Sequence, residues 1–262
     1  MIDVAANLAA VRDRIARAAE RAGRDPASVR LVAAAKTKPA EMVRAAIAAG
    51  LTDVGENYVQ EAAAKRAAVG DRARWHLIGH LQRNKAARAV EIFDCIQTLD
   101  SAALGAALSR HAVTGGRTLS VLIEVRLGGE TSKSGVEPDA LPGLLAALRL
   151  PGLAVEGLMT VPPPGDPESA RPHFRALREW RDRLGLRELS MGMTDDFEVA
   201  IEEGRRWCAS AAPSLARVRE PRRGAEKGEP AMGGRTATGR VVRAATPRRA
   251  SDSSVAATWR RR

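Results

Sequence analysis

The sequence predicts an α/β protein folded as a (β/α)8 barrel of the TIM type in which a proper eighth strand is missing. Short apolar segments of strand length alternate with longer segments of helical periodicity up to residue 204. Such alternation indicates parallel strands with covering helices. The length of 262 residues also suits a barrel, which takes roughly 250 residues as one unit.

The predicted elements follow one another in the order that a barrel requires. The first is a helix, because apolar residues recur at steps of three and four, at Val4, Leu8, Val11, Ile15 and Ala19. Seven strand-like segments follow, at 31–35, 54–55, 75–78, 92–99, 119–125, 154–159 and 188–190. Helical patterns cover 101–111, 138–149 and 168–184, and a last helix begins near Asp195. The eighth strand should start just past Gly204, where periodicity ends.

The C-terminal segment differs in composition from the rest of the chain. Residues 205–262 hold 15 basic and 4 acidic side chains, whereas residues 1–204 hold 27 of each, so the net charge of +11 lies entirely in this segment. It is rich in Arg, Ala, Gly, Pro and Ser and lacks periodicity, which predicts a disordered basic tail. We therefore expect two regions, a barrel over 1–204 and a tail over 205–262. A basic arm can bind nucleic acid, but with Trp207 and Trp259 as its only aromatic residues, no specific nucleic-acid binding is predicted.

Composition and spacing argue against several other classes of protein. No apolar run reaches the ~20 residues that a membrane span needs, so no membrane partner is expected. The N-terminus has no signal-peptide core, which favours a cytoplasmic location. Cys95 and Cys208 have neither metal nor redox spacing. His76 and His80 lie four apart, but no third ligand is near and Gly79 interrupts a helix, so no metal site is predicted.

Lys36 is the first candidate for chemistry. It follows the apolar run 31–35 and precedes Thr37-Lys38-Pro39, where a buried strand stops before a helix. A lysine reacts with a carbonyl only as the free amine, which a desolvated pocket favours. Functional groups collect at the C-terminal ends of barrel strands. Taken alone, Lys36 is equally compatible with a surface lysine at a strand end.

A second strand-end turn, Ser190-Met191-Gly192, is suited to an anion. Its backbone N–H groups and the N-terminus of the following helix would favour a phosphate, although an ordinary strand-to-helix turn would have the same sequence. We expect Thr194 or Asp195 to cap that helix. Glu56 and Glu61 could act as bases, but helix-start carboxylates that stabilise the dipole are the simpler interpretation.

These segments, with others, resemble the pyridoxal phosphate homeostasis family, whose members look like the barrel domain of alanine racemase without its second domain. The motifs keep their order and spacing from about residue 3 to 204, and residues 205–262 match nothing in the family. The matching segments are Ala35-Lys36-Thr37-Lys38-Pro39, Gly55-Glu56-Asn57-Tyr58-Val59-Gln60-Glu61, His76-Leu77-Ile78-Gly79-His80-Leu81-Gln82-Arg83-Asn84-Lys85, Lys133-Ser134-Gly135, Gly157-Leu158-Met159 and Leu189-Ser190-Met191-Gly192-Met193-Thr194-Asp195-Asp196-Phe197.

The resemblance implies a monomeric carrier that holds pyridoxal phosphate as an internal aldimine on Lys36 and passes it to apo-enzymes. It implies that Asn57 lines the cofactor mouth and that Ser190, Met191 and Gly192 help to hold the phosphate. We add Met159 as a cofactor contact, although Met159 and Met191 could instead be core residues. No catalytic residue is expected.

The alternative function is an amino-acid racemase. Racemisation with two bases needs an acid-base group on each face of the substrate, and Lys36 supplies one. In racemases of this fold a tyrosine from the second domain supplies the other, whereas the sole tyrosine of this chain is Tyr58. The carrier is therefore the favoured function.

The change of character after Gly204 suggests a shift of reading frame. Family members carry a Val-Arg-Val-Gly turn near the C-terminus, which implies backbone contacts to the phosphate and an arginine near the pyridine nitrogen. The chain lacks this pattern, so we expect an unpaired edge beside strands seven and one, weak cofactor retention and a tendency to aggregate. Residues Gly204 to Arg219 can be written with GC-rich codons. When the reading frame of these codons is moved forward by two bases, it encodes a peptide that contains Leu-Val-Arg-Val-Gly.

The nucleotide sequence of the gene tests this hypothesis. We expect an open frame past the codon of Gly204 that encodes a Leu-Val-Arg-Val-Gly-like strand and turn, because this would restore the missing element. Resequencing of the region gives the answer directly. The absence of such a frame would remove the hypothesis and leave the tail as a native extension.

Overall fold

Eight parallel strands close into a barrel in chain order. The computed structural model describes residues 3–128 and 134–204 and the backbone of 207–211. The strands are β1 (Arg30–Ala34), β2 (Asp53–Glu56), β3 (Arg74–Leu77), β4 (Cys95–Leu99), β5 (Leu119–Glu124), β6 (Leu153–Met159), β7 (Glu188–Ser190) and β8 (Trp207–Ala211).

Helices cover the outside of the barrel, as the alternating pattern predicts. The α-helices are α1 (Val4–Arg21), α2 (Ala40–Ala48), α3 (Val59–Val69), α4 (Ala86–Ile92), α5 (Ala102–Thr114), α6 (Leu141–Ala147), α7 (Arg171–Arg183) and α8 (Phe197–Glu202). Single turns of 3-10 helix lie at Pro26–Ser28, Arg83–Lys85, Pro138–Ala140 and Pro167–Ala170. In the described ranges, no helix has both the length and the apolar character to cross a membrane. The predicted fold class is confirmed.

The backbone of Trp207–Ala211 lies in the position of the eighth strand, just past Gly204, where the sequence predicts that strand to start. β8 pairs with β1 from Arg30↔Trp207 to Ala34↔Ala211 and with β7 at Ser190↔Trp207. The hydrogen bonds of a parallel ladder join backbone groups, so this segment closes the barrel without an apolar periodic sequence. The unpaired edge expected beside β7 and β1 is therefore filled. The disorder predicted for the rest of the tail concerns residues that lie outside the described part of the chain.

The core has two layers, one on each side of the strands. Between strands and helices lies the larger layer, which includes the fully buried Trp75, Phe93 and Phe174. A small cluster of Val32, Cys95, Leu122 and Met159 comes from four different strands, so it fills the barrel interior. Side chains alternate between the two faces of a strand, and this alternation decides which residues of each strand point to the interior.

An ion-pair cluster holds the last described helix. Glu203, which directly follows α8, accepts from Arg171 at 3.2 Å and Arg175 at 3.0 Å, and Arg178 lies 3.3 Å from its other oxygen. Burial alone would raise the pKa of Glu203, but the hydrogen bonds from Arg175 and Arg171 outweigh it and hold that pKa below its usual value. The carboxylate thus ties α8 to α7 immediately before the chain enters β8.

Candidate functional site

Lys36 lies at the C-terminal end of β1, at the mouth of the barrel. Ala33, Ala34 and Ala35 before it are buried, whereas the Lys36 side chain is exposed. Within the described part of the chain, its ammonium forms no hydrogen bond or ion pair. Lys36 is therefore an available amine at the edge of the barrel interior.

All six predicted cofactor-binding residues line one cavity of about 190 Å³. Lys36 and Asn57 lie on one side, after β1 and β2, whereas Ser190 ends β7 and is followed by Met191 and Gly192. The lining residues are Ala34, Lys36, Asn57, Ile78, Met159, Thr160, Val161, Ser190, Met191, Gly192 and Met193. Because the strands are parallel, their C-terminal ends meet at one mouth, which brings together residues that are far apart in sequence.

The two methionines both pack in the core and line the cavity. Met191 belongs to the large outer core, and Met159 belongs to the small interior cluster. Both are almost fully buried. The two interpretations that the sequence left open, core residue and cavity residue, therefore describe the same side chains.

Asn57 is positioned by a close backbone contact with Gly79. A Cβ atom on Gly79 would lie 2.4 Å from the Asn57 carbonyl oxygen and 2.7 Å from its Cα, so only glycine fits here. The Gly79 carbonyl accepts a hydrogen bond from the Thr98 hydroxyl at 2.8 Å. The segments after β2 and β3 are thereby held together at the mouth.

A chain of four buried polar side chains crosses the barrel interior to Ser190. The Ser190 hydroxyl donates to Gln97 Oε1 at 2.7 Å. Gln97 Nε2 lies 3.0 Å from His76 Nδ1, and His76 Nε2 lies 2.9 Å from Asp53 Oδ1. The chain joins β7, β4, β3 and β2, and all four side chains are buried.

The charges in this chain are set by opposing effects. Burial alone would raise the pKa of Asp53, but hydrogen bonds from His76 and Thr52 outweigh it and hold that pKa below its usual value. Burial lowers the pKa of His76, against the influence of Asp53. The result is an ionised Asp53 beside a neutral imidazole at neutral pH.

Lys65 on α3 fixes the backbone on both sides of Lys36. Its ammonium donates to the Ala35 carbonyl at 2.7 Å and to Glu56 Oε1 at 2.7 Å, and it contacts Glu61 Oε2 at 3.3 Å. The same Glu61 oxygen accepts from the backbone N–H of Thr37 at 3.3 Å. The peptide groups before and after Lys36 are therefore anchored to one ion-pair cluster, which we call the Lys65 clamp.

Thr37 shows how tightly this turn is constrained. Its φ is +62°, in the left-handed region that β-branched residues avoid at a cost of about 1 kcal/mol or more. The Lys65 clamp supplies the hydrogen bonds that hold this conformation. The direction in which the Lys36 side chain leaves the backbone thus depends on the strained conformation of Thr37, which the Lys65 clamp on α3 stabilises.

Glu56 does not have the role predicted for it. It ends β2 and lies under α3, fully buried, so it is not a helix-start carboxylate. Burial raises its pKa despite the hydrogen bond from Lys65, and its Oε2 has no partner among the described residues. Glu61, in contrast, does lie in the first turn of α3, as predicted.

Several other sequence predictions are refined by the geometry. His80 is exposed and lies 3.5 Å from Asp100, while His76 belongs to the buried chain, and the described residues contain no group of potential metal ligands. The N-cap position of α8 is occupied by Asp196, not by Thr194 or Asp195, and its side chain makes no capping hydrogen bond. With only six residues, α8 is too short to form an anion site of its own, so the anion-binding argument rests on the turn at Gly192, whose φ is +79°.

Comparisons with known proteins show the family of this chain. The chain matches the family described as alanine racemase, N-terminal domain, over residues 6–207. A pyridoxal phosphate homeostasis protein of Pseudomonas aeruginosa is 46% identical over 213 residues, covering 79% of this chain and 92% of that protein. The chain belongs to the pyridoxal phosphate homeostasis protein family. The resemblance stated from the motifs is confirmed.

Solved structures show the same fold. PipY of Synechococcus elongatus, in a structure with PLP bound, is 35% identical with a TM-score of 0.72 over 82% of this chain and 100% of that one. An alanine racemase of Clostridium difficile has a TM-score of 0.60 at 12% identity and covers 80% of this chain and 56% of its own. The second likeness concerns the barrel fold alone.

Three functional candidates were not found from the sequence. They are Asp53, Gln97 and Lys65, to which the sequence analysis gives no role. An indication was available for Gln97, because a glutamine inside the apolar run 92–99 must find hydrogen-bond partners when it is buried. The partners themselves come from other strands, so no local spacing reveals them.

Replacement of Lys65 tests the clamp. We expect Lys65→Met to lower the free energy of unfolding by about 3 kcal/mol, because Glu56 would remain buried without its cation. Lys85→Met, at a lysine for which no ion pair is seen, should change stability by less than about 0.5 kcal/mol. Urea denaturation measures both, and equal small effects would contradict the clamp. The double variant Lys65→Met/Glu56→Gln should recover part of the loss.

Proposed function

We propose that this protein binds pyridoxal phosphate through Lys36 and acts as a carrier and buffer of the cofactor. The observation that carries the proposal is the ammonium of Lys36, which has no partner among the described residues, at a cavity lined by all six residues expected to contact the cofactor. The cofactor's aldehyde condenses with a free lysine amine. The name of the Pseudomonas relative and the PLP-bound structure of PipY support the same ligand.

The other cavity residues would orient the ligand. Asn57 lies on the Lys36 side, held in place through Gly79. The left-handed turn at Gly192 follows Ser190 and Met191, and turns of this kind direct backbone N–H groups at anions. We assign the phosphate to this turn and the aldehyde to Lys36, with Met159 forming the apolar floor.

A carrier fits the residues better than a racemase does. Tyr58, the sole tyrosine, is 58% exposed and is not among the residues that line the cavity. Lys36 thus has no phenolic partner across the cavity to act as a second base. We propose that the protein does not turn over a substrate, in line with the names of its relatives.

Transfer to apo-enzymes, a monomeric state and a cytoplasmic location remain our proposals for how this carrier works. The exposure of Lys36 supports transfer, because a partner could reach the tethered cofactor without unfolding of the barrel. We continue to expect no specific binding of nucleic acid. The frame shift after Gly204 also remains a proposal, supported by the end of the family match at residue 207.

Lys36→Ala tests the tether. We expect the variant to lose the absorbance band of the bound cofactor and the borohydride-stable mass increment, because no amine remains at the cavity edge. Lys38→Ala, two residues away and outside the cavity lining, should keep both signals. A band of unchanged intensity in Lys36→Ala would show that another lysine holds the cofactor and would overturn the assignment.

Proton exchange separates the carrier from the enzyme. With the cofactor loaded, we expect no exchange of the alanine α-proton into deuterated water above the rate given by free pyridoxal phosphate, since in the proposed carrier Lys36 tethers the cofactor and does not act on a substrate. Proton NMR of L-alanine over hours measures the rate. Exchange that depends on Lys36 and exceeds this background would favour the racemase.

A further inference from the structure

In the buried chain of side chains from Asp53 to Ser190, each hydrogen bond has a fixed donor and acceptor. The charge of Asp53 determines which group donates at each step. An ionised carboxylate can only accept a hydrogen bond, so His76 Nε2 must carry the proton that faces Asp53 at 2.9 Å. In a neutral imidazole the other nitrogen is then an acceptor. His76 Nδ1 therefore faces the amide N–H of Gln97 at 3.0 Å.

The orientation of Gln97 in turn decides what Ser190 can offer to a ligand. With its amide nitrogen turned to His76, Gln97 presents its oxygen to Ser190, whose hydroxyl donates to it at 2.7 Å. The hydrogen of that hydroxyl points into the barrel. Only oxygen lone pairs of Ser190 therefore face the cavity, and a phosphate dianion, which also has acceptors alone, receives no hydrogen bond from them.

Ser190 can donate to a phosphate only if the hydrogen bonds of this buried chain of side chains reverse their direction. The hydroxyl hydrogen then turns outward, the Gln97 amide rotates by half a turn, and its nitrogen donates to Ser190 Oγ. Gln97 Oε1 now faces His76 Nδ1 and requires a donor there. A proton from solvent on His76 Nδ1 meets this requirement, while Nε2 continues to donate to Asp53.

We propose that Gln97 and His76 are positioning residues that couple the binding of a phosphate monoester dianion at Ser190 to the uptake of one proton at the His76–Asp53 pair. This inference rests on the proposed function, because it takes the phosphate of the ligand to lie at Ser190. The partner class is a phosphorylated pyridine rather than its unphosphorylated alcohol. No covalent bond changes, and solvent supplies the proton.

The charged groups around His76 permit this uptake. Asp53 on β2 and Asp94, which directly precedes β4, favour the protonated ring, whereas Arg74 on β3 opposes it. Gln97 is neutral, and burial raises the pKa of the adjacent Cys95 thiol, so that thiol stays uncharged. An imidazolium at His76 would form a buried ion pair with Asp53 and so neutralise the charge that Asp53 carries alone.

Calorimetry with two ligands that lack an aldehyde tests the coupling. Pyridoxine phosphate and pyridoxine cannot condense with Lys36, so protons from that reaction do not interfere. Titrations at pH 8 in buffers of different ionisation heat give the protons taken up, at a pH where the phosphate is dianionic. We expect about one proton for pyridoxine phosphate and about none for pyridoxine, together with an affinity for the phosphate ester that falls about tenfold per pH unit.

Two further measurements test whether the proton uptake depends on the buried chain of side chains. Gln97→Leu interrupts the chain between Ser190 and His76, so the variant should bind pyridoxine phosphate without proton uptake. If this variant does not fold, nitrogen NMR of His76 in the unaltered protein gives the same answer. It should show one protonated ring nitrogen in the free protein and two with pyridoxine phosphate bound.

The outcomes separate this inference from the proposed function. Binding of pyridoxine phosphate with no proton uptake and a neutral His76 would overturn the coupling and leave the carrier function intact. Equal proton uptake with pyridoxine would overturn it too, because the phosphate would not be the cause. Failure of pyridoxine phosphate to bind would overturn the proposed function itself.

Discussion

Closure of the parallel sheet is the constraint on which every other feature depends. Eight strands run in the same direction, so all of their C-terminal ends lie at one mouth. Lys36 after β1, Asn57 after β2 and Ser190 at the end of β7 meet there although they span most of the chain. Closure itself needs β8, whose five paired positions with β1 join the first strand to the last. The site is therefore a consequence of backbone pairing before it is a consequence of side-chain chemistry.

A barrel interior of this size must also satisfy the polar groups that it buries. Asp53, His76, Gln97 and Ser190 solve this problem together, because each side chain supplies the donor or acceptor that its neighbour lacks. Such a chain is cooperative: removal of one member leaves the others buried and unpaired, which is costly in a medium of low polarity. Its end at Ser190 means that a ligand there contacts the whole chain through a single hydroxyl group.

The fold and the cavity lining were largely predictable, and the supporting network was not. Lys36 and the turn at Gly192 are visible because strand ends have a local sequence pattern and parallel strands bring such ends together, whereas Asn57 followed only from the resemblance to the family. The bond from Ser190 to Gln97 joins residues 93 positions apart, and its existence depends on register and alternation across the barrel. Lys65 was missed because its partners are a backbone carbonyl and a carboxylate on a strand. The position of β8 just past Gly204 was predictable from the order of elements, whereas its pairing was not, because backbone pairing leaves little trace in composition.

The surroundings of Lys36 combine a rigid backbone with an available amine, and this combination favours a carrier. The Lys65 clamp and the left-handed Thr37 hold the peptide groups on each side of Lys36, so the point from which the side chain leaves is fixed. The side chain itself is exposed and has no partner among the described residues. Racemisation with two bases needs a second acid-base group held across the ligand, and apart from Lys36 the described residues that line the cavity carry no ionisable side chain. A fixed tether beside an open mouth, without an opposing base, is suited to holding a reactive aldehyde and releasing it unchanged.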